Sequence, residues 1–143
     1  MYRRSTGRLI HVSDDLLDIR VKIKISWKNK NYVGTIFGGS MASATDPIYM
    51  IQLMNILGNE YVVWEKEANI RFKKPAKVSV YAHFSFTPNE IEQIKRDVKA
   101  SDEIDVVKYL SITNKTETIV FAELKKIIYV ADKQFYKTQK KRK

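Results

Sequence analysis

The feature that most constrains the fold is a glycine-punctuated loop that runs directly into a long apolar segment, together residues 31–58. Gly38 and Gly39 close the loop, and Gly58 stands where a helix C-cap is expected. The apolar residues of 40–57 are not confined to one stripe, and a helix that is apolar nearly all round is usually buried on most sides. Such a helix would measure about 27 Å. The sequence therefore predicts one long helix at the centre of the fold.

A single carboxylate interrupts this segment. It belongs to Asp46, and Pro47 follows it. Proline inside a helix costs about 3 kcal/mol, because it lacks an N–H group and crowds the preceding turn. Two interpretations remain open. In the first, the helix begins near Ser40 and kinks at the proline, which leaves the carboxylate for chemistry. In the second, Asp46 is the N-cap of a helix that begins at Pro47.

Predicted strands flank the central segment on both sides. The first alternates apolar and charged residues, which is typical of a half-buried strand. The predicted strands are 19–27, 61–73, 78–86, 105–113 and 117–130. Thr87, Pro88 and Glu90 form a capping-box pattern that predicts a short helix running to about Ala100. Strands linked by short connections should pair antiparallel, and the first strand should reach the second through a crossover that contains the long helix.

The order of elements indicates one α+β domain, with a sheet of about five antiparallel strands and one long helix buried against it. The core domain spans 19–130. A basic arm, 1–18, precedes it, and a basic tail, 131–143, follows it and is predicted to be frayed.

Composition restricts the chemistry more than it identifies it. The net charge of +10 favours anionic partners such as nucleic acid, anionic lipid or a phosphate-bearing group. Cysteine is absent, which excludes disulfides and thiolate chemistry. The two histidines form no ligand-spaced pattern, so we expect no metal site. No apolar run is long enough for a membrane span or a signal peptide, and we expect a cytoplasmic protein.

A motif in the loop carries a family resemblance. Its residues are, in order, Asn31, Gly34-Thr35, Phe37-Gly38-Gly39 and Asp46. This spacing resembles that of the phenylacetate-pathway type of acyl-CoA thioesterase in the hotdog superfamily, whose signature has histidine at the position of Phe37. Residues 19–130, including the segment EYVVWEKEANIRF, are similar to an uncharacterised hotdog family known only as a domain of unknown function. The resemblance implies a curved antiparallel sheet wrapped around one central helix.

The resemblance also implies a site. Asp46 would activate water or attack the thioester directly across a subunit boundary, and Asn31 would position the water or the carbonyl. The amides at Gly38 and Gly39 would stabilise the oxyanion, with Phe37 beside them in place of the family's histidine. The substrate would be an acyl-CoA or acyl-carrier thioester, with coenzyme A as part of the substrate and no separate cofactor. The protein would be a homodimer or a dimer of dimers.

Several other residues have two interpretations. Arg71, Lys73 and Lys74 could bind the phosphates of coenzyme A or form an ordinary basic edge. Glu65 and Glu67 would share one face of their strand, most simply as solvated charges. Three further residues are expected to have structural roles: His83 on the outer face of its strand, and Trp27 and Trp64 as packing anchors.

Two alternatives to hydrolysis stay open. The chain could bind an acyl thioester without turnover, since the family histidine is missing. The basic tail could bind nucleic acid or a membrane surface, although only Phe135 and Tyr136 lie near it as stacking aromatics. A solubilising tail is the simpler interpretation, and we do not expect nucleic acid as a partner.

Overall fold

The structure, a computed structural model, describes residues 7–25, 34 and 38–142, without the side chains of Ser40 and Arg142. Asn31, Phe37 and Trp27 lie outside the described residues. The strands are β1 Gly7–Val12, β2 Asp18–Ile23, β3 Tyr61–Phe72, β4 Val80–Ser85, β5 Glu103–Thr113 and β6 Val120–Asp132. The helices are α1 Gly38–Thr45, α2 Ile48–Leu57, α3 Pro88–Ser101 and α4 Lys133–Arg142.

The strands form one antiparallel sheet in the order β1-β2-β4-β5-β6-β3. The prediction of about five strands is corrected to six, because part of the expected N-terminal arm is strand β1, paired with β2. The predicted hairpin of the last two strands, β5 and β6, is confirmed. A second correction concerns β3 and β4, which follow each other in sequence but do not pair. β3 instead pairs with β6 and forms one edge of the described sheet.

The predicted long helix is two helices, with Asp46 and Pro47 at the break between them. Pro47 occupies the N-cap position of α2, and no capping hydrogen bond from a side chain is present among the described residues. Asp46 therefore does not act as the N-cap. Gly58 ends α2 as predicted, with a φ of +87° and its N–H donating to the carbonyl oxygen of Met54 at 3.2 Å. That left-handed φ favours glycine, because a Cβ atom would be strained there.

The core lies between α2 and the inner face of the sheet. Tyr49 of α2 is buried and meets the rings of Phe84 and Phe86 edge-on, with ring centroids 4.9 and 5.5 Å apart. Leu53 on the same helix is fully buried. α3 adds its apolar stripe, formed by Ile91, Ile94 and Val98. The expectation of burial on most sides is only partly met, because Ile51 and Met54 of α2 are 44% and 49% exposed.

A bulge in β3 changes which residues face the core. The register with β6 shifts between Glu65 and Glu67. Side chains alternate along a strand, so one extra residue moves every later side chain to the opposite face. Trp64, which was expected to be a packing anchor, therefore lies on the opposite face of the sheet from Ile70. Trp64 lies on the outer face against Tyr129, whereas Ile70 packs on the core.

The C-terminal residues are helical rather than frayed. α4 contacts β6 and β3, and its Tyr136 ring lies 6.2 Å from the ring of Tyr129 on the outer face. None of the helices in the described part of the chain is long and apolar enough to cross a membrane.

The capping box of α3 gives a first prediction. The Thr87 hydroxyl accepts from the Glu90 N–H at 3.1 Å, and the Glu90 carboxylate accepts from the Thr87 N–H at 3.4 Å. Thr87→Ala should lower the free energy of unfolding by about 1 kcal/mol, because one helix N–H loses its partner. Thr87→Ser keeps the hydroxyl and should change little. Urea denaturation of both variants measures this, and equal losses would contradict the capping role.

Candidate functional site

Asp46 lies at the break between α1 and α2, where its side chain is exposed. Its main-chain carbonyl accepts a hydrogen bond from Nζ of Lys126 on β6, at 3.4 Å. The lysine thus joins the middle of the sheet to the helix break. The carboxylate is neither sealed in the core nor used as a cap, so it is accessible to a substrate or a partner.

Lys126 is a buried cation with one close carboxylate. Its side chain is 2% exposed, and Nζ lies 3.0 Å from Oε1 of Glu65, whose side chain is 14% exposed. Glu65 Oε1 is fully buried and takes no well-directed hydrogen bond within the described residues, so the contact is mainly ionic. Buried charges need pairing, because removing an ion from water costs several kcal/mol. The pair fixes both side chains beside Asp46.

Burial, and after it the neighbouring Asp46 carboxyl, raise the pKa of Glu65 to about 7, although Lys126 acts in the opposite direction. A carboxyl that changes protonation near neutral pH is suited to acid–base chemistry. The neighbouring Asp46 carboxyl contributes to the raised pKa of Glu65, because two adjacent carboxyls resist being ionised together. The arrangement can hold a proton beside a carboxylate at physiological pH.

The prediction that Glu65 and Glu67 share a solvated face is wrong. The β-bulge separates them, and it directs Glu65 inward while Glu67 stays exposed opposite Ile127. Sequence reasoning missed Lys126 altogether. Its signal was available, since it is the one charged residue in an inward row of β6, namely Ala122, Leu124, Lys126, Ile128 and Val130. A lysine in such a row needs a buried partner.

The start of α1 lies against the far end of β3. A Cβ atom on Gly38 would stand 2.8 Å from the ring of Phe72, so the close approach requires glycine unless that ring moves. Gly39 is exposed. The eight residues of α1 separate these glycines from Asp46 by about 12 Å. Within one chain, the amides at the start of α1 and the carboxylate at its end therefore do not meet on one substrate atom.

The three basic residues considered for phosphate binding lie at the end of β3, beside that same start of α1. Arg71 and Lys74 are exposed, and Lys73 makes a long ion pair of 3.8 Å with Glu123. The N–H groups of Lys73 and Lys74 donate to the carbonyl of Phe121 at 2.8 and 3.1 Å, which fixes the backbone there. Their side chains remain available to an anion.

Other titratable groups stand apart from this cluster. His83 lies on the outer face with Nε2 2.7 Å from Oδ1 of Asp18. In the described ranges no three His, Asp or Glu side chains converge as a metal ion requires. Two cavities, of about 480 and 530 Å³, are lined by His83 and by Trp64 respectively, and neither is lined by Asp46 or Glu65.

Comparisons with known proteins agree on the fold. Residues 6–130 match the sequence profile of a family described as "Domain of unknown function (DUF4442)". No curated protein sequence matches the chain. Among solved structures, a Pseudomonas aeruginosa protein of unknown function, described as a probable thioesterase, is similar with a TM-score of 0.78 at 17% identity, over 91% of this chain and 85% of that one.

Two further structures are described as thioesterases. One, from Haemophilus influenzae, has a TM-score of 0.63 at 11% identity, over 91% of this chain and 81% of that chain. The other, a mutant enzyme from Staphylococcus aureus, has a TM-score of 0.58 at 14% identity, over 87% of this chain and 93% of that chain. Sequence identities this low show a shared fold and not a shared function. With the family match, they confirm the hotdog architecture expected from the loop motif.

Proposed function

Because this chain belongs to the DUF4442 family of hotdog proteins, we propose that it hydrolyses an acyl thioester, of coenzyme A or an acyl carrier, with the Asp46 carboxylate as the attacking group or base. The observation that carries this proposal is the buried Lys126, which holds Glu65 and the Asp46 backbone together at an open helix break. A purely structural helix break would need no buried ion pair, which is a costly way to join two elements. The fold is also that of proteins described as thioesterases.

The chemistry needs a base and an oxyanion site. Asp46 would take a proton from water or attack the carbonyl carbon, and Asn31 would orient that water or the carbonyl. The amides at Gly38 and Gly39, at the positive end of the helix dipole, would stabilise the oxyanion. Phe37 would shape the acyl side of the site where the related thioesterases have histidine.

A dimer would bring these groups together. The 12 Å or so between the glycine amides and Asp46 is too long for one thioester carbonyl, so each would act with its counterpart from a second copy. β3 offers the surface for this, since it is a twelve-residue strand that carries Glu65 and has no neighbour on one side among the described residues. Long exposed edges are usually covered. Light scattering should give twice 16.7 kDa, or a multiple of that mass.

The basic end of β3 would hold the nucleotide part of the substrate. Arg71, Lys73 and Lys74 are next to Phe72 in the sequence, and the Phe72 ring lies against Gly38, where the oxyanion amides would be. Phosphates of coenzyme A bound there would anchor the nucleotide, and the pantetheine arm would carry the thioester onward to the site. Charged side chains at a surface of this kind raise the rate of association with anionic substrates and act less strongly at high salt.

The test is thiol release from a panel of acyl-CoAs of different chain length, followed by a thiol reagent. Turnover of at least one member is expected. The alternative is a non-catalytic acyl-CoA binding protein, which the missing histidine would suit. Acyl-CoA that raises the melting temperature without thiol release would favour that alternative. A panel that gives neither effect would contradict both.

A second candidate function, binding of single-stranded nucleic acid, is favoured by one observation. The outer-face groove, between α4 and the sheet, has a volume of about 530 Å³ and is lined by Trp64, Tyr129, Tyr136 and Lys140 among others. The rings of Trp64 and Tyr129 are 5.3 Å apart, and Trp64 is 42% exposed. α4 carries five basic residues and no acidic one. Stacking aromatics beside lysines is the pattern that single strands require.

Anisotropy of a labelled single-stranded oligonucleotide tests this candidate. Binding should weaken steeply with salt, and Trp64→Ala should weaken it about tenfold, since stacking is worth about 1–3 kcal/mol per base. Tyr109→Ala, an exposed aromatic outside the groove, is the matched control. Binding that both variants retain, or that anionic vesicles show instead, would contradict the groove as a nucleic-acid site.

A further inference from the structure

Three groups that can carry a charge lie together at the helix break, namely Lys126, Asp46 and Glu65. Lys126 carries one positive charge, and the carboxyls of Asp46 and Glu65 could carry two negative charges within hydrogen-bonding reach of each other. Glu65 is mostly buried and Asp46 is exposed, so an ionised Glu65 would be both desolvated and repelled by an ionised Asp46. One proton on the carboxyl pair makes the cluster neutral. Because Asp46 is exposed and Glu65 is mostly buried, the proton belongs on Glu65 and the negative charge on Asp46.

No other charge in the described part of the chain changes this count. Lys66, next to Glu65 on β3, points to the outer face and pairs with Asp105 at 3.1 Å. Lys108, opposite Lys126 in the sheet, pairs with Glu90 of α3 at 2.8 Å and lies over the ring of Phe86. Both lysines are therefore already balanced. Asp46 and Lys126 are the charged groups that face Glu65.

We infer that Glu65 is the acid that protonates the leaving thiolate during hydrolysis, while Asp46 is the base that activates water. This inference rests on the proposed thioesterase function and assigns a separate role to the second carboxyl. Paired carboxyls whose surroundings keep one neutral and one ionised commonly divide acid and base roles in this way. The raised pKa of Glu65 is consistent with the role, since it keeps a proton available near neutral pH.

Hydrolysis then takes place in two proton transfers. Water attacks the thioester carbonyl carbon and forms the new C–O bond, and its proton passes to the Asp46 carboxylate. The tetrahedral intermediate then breaks its C–S bond, and the departing thiolate sulfur takes the proton of Glu65. The products are a carboxylic acid and a thiol. The proton on Asp46 then returns to Glu65 through their hydrogen bond, which restores the resting pair.

The leaving group provides the sharpest test. An alkyl thiol has a pKa of about 8.5, as in cysteine, so its thiolate benefits from protonation as it leaves. An aromatic thiolate leaves without that help. Glu65→Gln should lower kcat for an acyl-CoA about a hundredfold, within the usual range for a general acid, and should change hydrolysis of an aryl thioester of the same acyl group little. Glu67→Gln, on the opposite face of β3, is the matched control and should leave both rates unchanged.

Equal losses on both thioesters would overturn the acid role, because a variant that only disturbs the site cannot distinguish leaving groups. The pH profile is a second readout. The wild type should lose kcat above neutral pH as Glu65 ionises, and this limb should be absent in Glu65→Gln.

A titration separates this inference from the proposed function. Carboxyl NMR of glutamate-labelled wild-type protein should show one glutamate with a midpoint near neutral pH, missing in Glu65→Gln. An ordinary midpoint for Glu65 would overturn the shared proton whether or not thioesters are hydrolysed. A near-neutral midpoint in a protein without thioesterase activity would overturn the proposed function, and the acid role with it, while the shared proton stood.

Discussion

Replacing Lys126 by methionine is expected to lower the free energy of unfolding by about 3 kcal/mol near pH 9 and by much less near pH 5. Methionine keeps the buried stem but removes the ammonium that lies 3.0 Å from Glu65. Removing one partner of a buried ion pair usually costs about 3–5 kcal/mol, because the other charge is left without compensation. Here the loss depends on pH, since Glu65 can become neutral by taking up a proton.

The direction of this dependence follows from the pKa of Glu65. Its folded value of about 7 lies above the ordinary 4.5, so the folded chain binds more protons than the unfolded chain between these values. The contribution of Glu65 to stability therefore falls as the pH rises through that window. Without Lys126, which lowers this pKa, the fall extends to higher pH.

Urea denaturation of Lys126→Met and wild type at several pH values measures the effect. Lys125→Met, an exposed neighbour on the other face of β6, is the matched control and should show no such trend. A destabilisation of Lys126→Met that is the same at pH 5 and pH 9 would contradict the account of the buried pair.

Asp46→Asn should lower kcat for acyl-CoA hydrolysis by about a hundredfold to ten-thousandfold, the usual contribution of a general base or nucleophile. Asparagine has the same shape but cannot accept the proton of water. The main-chain carbonyl that accepts from Lys126 is unchanged, so the fold should be retained. KM should change little, because the side chain would act on the reacting atoms rather than on the nucleotide.

Steady-state thiol release with purified protein measures this, with circular dichroism to confirm folding. Asp14→Asn, an exposed aspartate on the turn between β1 and β2, is the control for loss of a surface charge. If Asp46→Asn retained the wild-type rate, the catalytic role of Asp46 would be wrong.

Local chemistry explains which parts of the fold were predictable from sequence. The capping box at Thr87 and the C-cap at Gly58 depend on neighbouring residues alone, and both form as predicted. The β5–β6 hairpin is also determined locally, by alternation on either side of a turn. The sequence left two interpretations of Pro47, a kink in a helix that begins near Ser40 or a helix that begins at Pro47 with Asp46 as its N-cap. The structure has helix on both sides of a break at Pro47, and Asp46 is not the cap.

Non-local features were not predictable in the same way. The bulge between Glu65 and Glu67 moves the side chains of the second half of β3 to the opposite faces of the sheet from those that simple alternation predicts. Nothing in the alternation of that strand shows where the extra residue lies. The pairing of Glu65 with Lys126 depends on that bulge and on a register between two strands far apart in sequence. The pairing of β3 with β6 rather than β4 is likewise a property of the whole sheet. The site motif around Asp46 remains a prediction from resemblance.

The central claim is that Asp46 of one copy acts with the glycine amides of another, and a mixed-dimer experiment tests it most directly. Asp46→Asn removes the base, and Gly39→Pro removes an amide hydrogen in the first turn of α1, where proline is tolerated. Gly39→Ala keeps that hydrogen and serves as control. Each of the first two variants alone should be nearly inactive, because every site lacks one component. Refolding them together in equal amounts should restore about a quarter of the wild-type rate, since half of the dimers would be mixed and would contain one intact site. A mixture as inactive as its components, beside an active wild type, would contradict a site shared between two copies.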